Sequence, residues 1–210
     1  MDVFNQYGVK FTALPPHTVH PDSDRFRDNV DHFDRVCRVT NGIRGMVVGA
    51  IGARTTPFKT VRCDEVTLQR HGITVETLDL TNLFDRMDKI KTSGSDYKKK
   101  AALLAAYTCW KGTPKKALEK LAQLAVAMDG LIAEYQMDAL GVRCWTEMQS
   151  LMGISPCVVL GLLNDAGVPA ACEVDVGNAV AMRALQLASG RPPACLDWNN
   201  NYGEDDDKCI

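Results

Sequence analysis

The chain has 210 residues and sets 24 Lys+Arg against 26 Asp+Glu, for a formal charge of −2. That balance leaves no electrostatic footprint for nucleic acid or an anionic membrane surface. No apolar run approaches the ~20 residues that cross a bilayer, and no signal-peptide pattern opens the chain. With 46% hydrophobic and 24% charged residues, the expectation is a cytoplasmic globular protein: one large domain, or one domain and part of another.

The first 22 residues are punctuated by Pro15, Pro16 and Pro21 and read as irregular. From Ser23 to Thr40, Phe26, Val30, Phe33 and Val36 recur on one face, which predicts a helix. The apolar run from Arg44 to Gly52 reads as a buried strand. Val61 to Arg70 then looks helical, with Gly72 suited to a left-handed cap. Ile73 to Leu80 alternates and is β-branched, so it is the second strand, and Asn82 to Ile90 is a short helix. Lys91 to Lys100 is polar and reads as an exposed connection, with helix again from Ala101. The clearest helix is Pro114 to Tyr135, where Leu118, Leu121, Leu124, Met128, Leu131 and Tyr135 keep a 3.6-residue period. Thr113 as N-cap and Pro114 in the first position suit its start.

Asp138 to Trp145 is the third strand, followed by a polar turn at Thr146 and Glu147. Cys157 to Ala166 is a helix, Val168 to Val174 a strand, Gly177 to Ser189 a helix, and Pro193 to Trp198 the start of a further strand. The polar tail, 199–208, reads as loop. Alternating strands and helices predict an α/β, Rossmann-like fold, with a mostly parallel sheet covered by helices on both faces.

Eight cysteines stand at 37, 63, 109, 144, 157, 172, 195 and 209, without a CxxC pair. Most lie in apolar runs, so reduced core thiols are expected. A structural zinc site with closely paired ligands is not legible. The four histidines (17, 20, 32 and 71) form no ligand pattern beyond an HxxH in the Pro-rich opening.

In open α/β sheets, ligands gather beyond the carboxyl ends of the strands. Four stretches qualify: Gly49 to Arg54, Trp145 to Glu147, Glu173 to Asp175, and Asp197 to Asn199. The first lacks GxGxxG, and no Walker motif occurs. The carboxylates are more informative. Glu147 and Asp175 lie 28 residues apart, about one β-α-β repeat, so they sit on neighbouring strand ends. Two such oxygen ligands suit Mn²⁺ or Mg²⁺. The plainer alternatives are that Asp175 caps the next helix and that Glu173 pairs with Arg183 or Arg191. Trp110, Trp145 and Trp198 read as core residues.

The run from Ala139 to Glu147, then Cys157, then Asn164 to Gly177, resembles the L-fucose isomerase/L-arabinose isomerase superfamily, and most closely its fucose isomerase-like branch. The stretches 44–54 and 58–62, with Gly72 and Ile73, resemble the middle domain of the same family. The resemblance implies a carbohydrate ketol-isomerase that interconverts aldose and ketose through a metal-bound cis-enediol. The metal would be Mn²⁺ or another divalent cation such as Mg²⁺ or Co²⁺. It carries the family's glutamate onto Glu147 and its aspartate onto Asp175, as metal ligands and acid/base groups. Glu173 receives at most a supporting role.

Two departures accompany the match. Thr146 stands where the family usually has proline, and no histidine follows Asp175 to match the family's third ligand. The resemblance therefore implies a middle domain over residues 1–150 and an incomplete C-terminal domain over 151–210. Such a segment would be inactive alone, and the longer protein would be a homo-oligomer acting on a small-molecule sugar. The alternatives from other classes are a sugar- or phosphate-binding α/β module without catalysis and a non-catalytic subunit.

Overall fold

The computed structural model describes residues 2–196 and 201–209. The chain divides into two compact units, residues 1–37 and 38–210.

The first unit holds α1 (Asp2–Gln6), a proline-punctuated segment and most of α2 (Asp24–Ile43). Phe4 packs on Phe11 with ring centroids 5.6 Å apart. The short helix α1 interrupts the stretch expected to be irregular. The amphipathic pattern of α2 does correspond to a helix, although none of its residues is buried.

In the second unit, β1 (Val47–Ile51), β2 (Thr74–Leu78), β3 (Ala139–Val142) and β4 (Ala170–Cys172) form one parallel sheet in the order β2-β1-β3-β4. Val48 pairs with Val75 on one side and Ala139 on the other, and Val142 pairs with Cys172. The helices are α3 (Glu65–Arg70), α4 (Leu80–Lys89), α5 (Ser95–Tyr107), α6 (Lys115–Tyr135), α7 (Cys157–Asp165) and α8 (Val176–Ser189). The Rossmann-like α/β expectation holds.

Strand alternation sorts the core onto two faces. Ile51, Leu140 and Val142 pack with α4, α5, α6 and α7, including Leu83, Leu104, Leu124, Met128, Leu131 and Leu163. Val48, Ala50, Ala139 and Ala171 face the other way, toward Leu68 of α3 and Val176, Ala179 and Met182 of α8. Small residues on this second face let α8 approach closely. At Gly141, on the same side as Ala139, an added Cβ would lie 2.9 Å from the Val174 carbonyl carbon and 3.0 Å from the Asp175 nitrogen.

Polar ties fix the strand starts. Asp138 accepts from the Val47 amide at 3.0 Å and pairs with Arg183 of α8 at 3.3 Å. Asn164 accepts from the Ala170 amide at 2.7 Å, closing the turn from α7 into β4.

Several expectations need correction. The polar run before Ala101 is not all connection: α5 begins at Ser95, because lysines are good helix formers when one helical face is left to solvent. Pro114 itself sits at the N-cap of α6, and no side chain caps it, so Thr113 does not serve. The tail is not all loop: β5 (Asn201–Tyr202) and β6 (Asp205–Cys209) form an antiparallel pair, turned at Gly203 with φ +60°. Residues 193–196 form no strand. Asp197, Trp198 and Asn199, the rest of that expected strand and its candidate site, lie outside the described residues. Among the described residues, no helix is long and apolar enough to cross a membrane.

Candidate functional site

The order β2-β1-β3-β4 makes the chain wind one way from β1 to β2 and the other way from β1 through β3 to β4. The switch falls between β1 and β3, where an open α/β sheet leaves a crevice beyond its strand ends. The segments leaving those ends are Gly52 to Phe58 after β1, Arg143 to Glu147 after β3, and Glu173 to Asp175 after β4.

Thr55 is a buried polar residue, 5% exposed, and it ties these segments together. Its hydroxyl lies 3.3 Å from the Trp145 carbonyl and 3.4 Å from Glu173 Oε2. Arg54 donates to the carbonyls of Thr55, Thr56 and Phe58, which folds the loop back on itself. Phe58 meets Trp145 edge to face, with centroids 5.2 Å apart. Trp145 is 44% exposed, so it lies at the surface beyond the end of β3 and not in the core. The Trp145–Thr146 peptide is cis. The π-helical turn at Met148–Met152 follows and ends at Gly153.

Glu147 is gripped by Arg143. The guanidinium makes two contacts, 2.7 Å to Oε1 and 2.5 Å to Oε2, and Oε2 also accepts from the Thr146 amide at 2.8 Å. Burial works against the charge. Hydrogen bonds from the backbone amides of Glu147 and Thr146 and the cation of Arg143 outweigh it, and they hold the carboxyl below its ordinary range. Arg143 also donates to the carbonyls of Trp145 and Ala53, at 2.8 and 3.1 Å, so it is anchored from both strand ends.

Asp175 takes the plainer role anticipated for it as well. It is the N-cap of α8, accepting from the Asn178 amide at 2.9 Å and from the Asn178 side chain at 2.7 Å. Among the described residues, both Asp175 oxygens and Glu147 Oε1 each accept one hydrogen bond, which leaves each a second lone pair. Carboxylate oxygens are the hard ligand type that Mn²⁺ takes.

Glu173 pairs with neither Arg183 nor Arg191. Its Oε1 receives the Cys144 thiol at 2.8 Å. Glu173 and Val174 both adopt left-handed backbone, φ +61° and +57°. This is unfavourable, most of all for a β-branched valine, and it turns the Glu173 side chain back toward β3. Cys144, Cys172 and Glu173 together bring three ligand atoms within 4.8 Å of one another. Among the described residues, neither Glu147 nor Asp175 joins a three-membered group of this kind. Hydrogen bonding with Cys172, then burial, then donation to Glu173 push the Cys144 thiol far above its ordinary pKa.

The cysteines at 37, 63, 109, 144, 157, 172 and 195 are all free thiols, as expected, but only Cys144 of them is buried and Cys157 is exposed. Cys144, Cys172, Thr55 and Arg143 were not legible as site residues. One signal was present: Cys144 and Cys172 are separated by the same 28 residues as Glu147 and Asp175.

No protein-family model matches the chain. Among curated proteins it is similar to the sulfoquinovose isomerase of Clostridium sp. (strain MSTE9), 27% identical over 188 residues that cover 86% of this chain and 42% of the relative. The sulfoquinovose isomerase of Alkalicoccus urumqiensis is 26% identical over 176 residues, 83% of this chain and 39% of the relative. That of Priestia megaterium is 23% identical over the same shares. The chain thus spans about two fifths of the length of the curated relatives it matches. The chain is therefore similar, over a partial segment, to the sulfoquinovose isomerases, in keeping with its resemblance to the L-fucose/L-arabinose isomerase superfamily.

Proposed function

We propose that this chain forms part of a carbohydrate ketol-isomerase, interconverting an aldose and its ketose. The observation that carries the reading is the similarity to sulfoquinovose isomerases over 83–86% of the chain, which includes the strand ends bearing Glu147 and Asp175. In this reading Glu147 and Asp175 face the metal and the reacting sugar carbons. A divalent cation, Mn²⁺ or alternatively Mg²⁺ or Co²⁺, would polarise the sugar carbonyl and lower the cost of removing the neighbouring C–H proton. Glu147 is held as the carboxylate by Arg143 and by backbone amides, the form that ligates a cation and takes up that proton, and the same partners weaken it as a base. Arg143 fixes the orientation of the carboxylate. Trp145 offers a flat apolar face to the sugar ring. Assembly into homo-oligomers belongs to the same reading.

The test uses the protein that carries this segment, incubated with Mn²⁺ in D₂O. Sulfoquinovose, pentoses and 6-deoxyhexoses form the panel, and deuterium at C1 or C2 is the expected result. Absence of exchange across the panel refutes the isomerase. The second reading, a sugar- or phosphate-binding module without catalysis, is favoured by the existing partners of both carboxylates, Arg143 and Asn178. It predicts saturable sugar or phosphate binding with no exchange.

A further inference from the structure

We propose that Cys144, Cys172 and Glu173 bind a thiophilic divalent cation of the Zn²⁺ class, through two thiolate sulfurs and one carboxylate oxygen, with a fourth position open to solvent. The three ligand atoms converge from the ends of two adjacent strands and lie within 4.8 Å of one another. Tetrahedral zinc with Zn–S of ~2.3 Å and Zn–O of ~2.1 Å sets sulfurs about 3.8 Å apart and sulfur and oxygen about 3.6 Å apart. The 2.8 Å contact between Cys144 and Glu173 must open to admit the ion. Sulfur ligands select zinc-like cations over Mn²⁺ or Mg²⁺, so this donor set differs in kind from Glu147 and Asp175.

The surroundings match a ligand site better than a packed strand end. Cys144 is buried while Cys172 and Glu173 are half-buried, which leaves the ion a path in. Thr55 lies 3.4 Å from the second Glu173 oxygen, the kind of outer hydrogen bond that orients a ligating carboxylate. The left-handed backbone at Glu173 and Val174 is a cost of the sort that clusters at functional sites. It is the conformation that returns the Glu173 carboxylate to the thiols. Three protein ligands and one open position is the arrangement of zinc that binds a water or a substrate oxygen. Binding releases the two thiol protons to solvent.

The experiment titrates Co²⁺ into the reduced, chelator-treated chain. A thiolate-to-cobalt charge-transfer band in the near ultraviolet is expected, saturating at one cation per chain and displaced by Zn²⁺. Cys172→Ser and Glu173→Gln, both at half-exposed positions, should weaken Zn²⁺ binding by at least about tenfold, and Thr55→Val by about tenfold. Glu147→Gln and Asp175→Asn should leave the band intact, so failure here is separable from failure of the isomerase reading. Zn²⁺ should also slow alkylation of Cys172 in the unaltered protein. Absence of the band refutes the proposal, and so does a band that survives in the Cys144→Ser/Cys172→Ser double variant.

Discussion

Gly141→Ala tests the close approach on which the geometry beyond β3 and β4 depends. The new Cβ would meet the Val174 carbonyl carbon at 2.9 Å, the Asp175 nitrogen at 3.0 Å and the Asp175 carbonyl carbon at 3.2 Å. All three are backbone atoms, so no flexible side-chain end can swing aside. Overpacking of this kind costs about 1–3 kcal/mol. Alanine returns about 0.4–1 kcal/mol by restricting the unfolded chain. The net expectation is a loss of about 1–2 kcal/mol, and in a chain of this size each kcal/mol moves Tm by roughly 2–4 °C. Urea unfolding should give a lower midpoint at unchanged slope. Gly130→Ala is the internal control. Gly130 lies in α6 with nothing within 4 Å of an added Cβ, so the same substitution there should stabilise by about 0.5–1 kcal/mol. If Gly141→Ala behaves like Gly130→Ala, the 173–175 backbone does not press against β3, and the reasoning about Glu173 fails with it.

Leu131→Ala empties a fully buried position of α6 and should cost about 2–5 kcal/mol in denaturant unfolding; a smaller loss would mean that the helix does not pack where it is placed. Asp175→Asn should fold as stably as the parent, since asparagine caps equally well, while Asp175→Ala should lose about 1 kcal/mol. In the isomerase reading both also weaken Mn²⁺ binding followed by electron paramagnetic resonance, and unchanged affinity removes Asp175 as a ligand. Glu147 carries a lowered folded-state pKa, so its contribution to stability is present above the ordinary glutamate range and is lost as pH falls through the folded value. Arg143→Ala should move the Glu147 titration upward in carboxyl NMR, and an unmoved titration would refute the ion pair.

The alternation of strand and helix was readable because both faces of a parallel sheet are buried. That makes β1 and β3 short apolar runs, and each run ends at a polar or glycine punctuation mark. The same logic explains where reading failed. Asn201 to Cys209 carries no hydrophobic alternation, so an antiparallel pair made by backbone hydrogen bonds around Gly203 leaves no trace in side-chain pattern. Ser95 to Lys100 reads as a connection by its charge density, although lysine is a good helix former. A solvated helical face and an exposed loop have the same composition.

The site was half legible for a different reason. Glu147 and Asp175 announce themselves because ionisable groups at strand ends are chemically conspicuous. Cys144 and Cys172 do not, because free cysteine reads as a small hydrophobe. What distinguishes them is their position relative to register. Val142 pairs with Cys172, and Cys144 lies two residues beyond Val142, so both thiols leave the same end of adjacent strands. Sequence supplies the 28-residue interval but not the reversal at Glu173 and Val174 that brings a carboxylate to the two sulfurs. That reversal rests on Gly141, where a missing side chain on one strand makes room for the backbone leaving the next. The thiol–carboxylate cluster and the glycine are therefore one feature. A Cβ at Gly141 that lowers stability should also weaken Co²⁺ binding at Cys144, Cys172 and Glu173. Intact binding in a destabilised Gly141→Ala chain would separate the two.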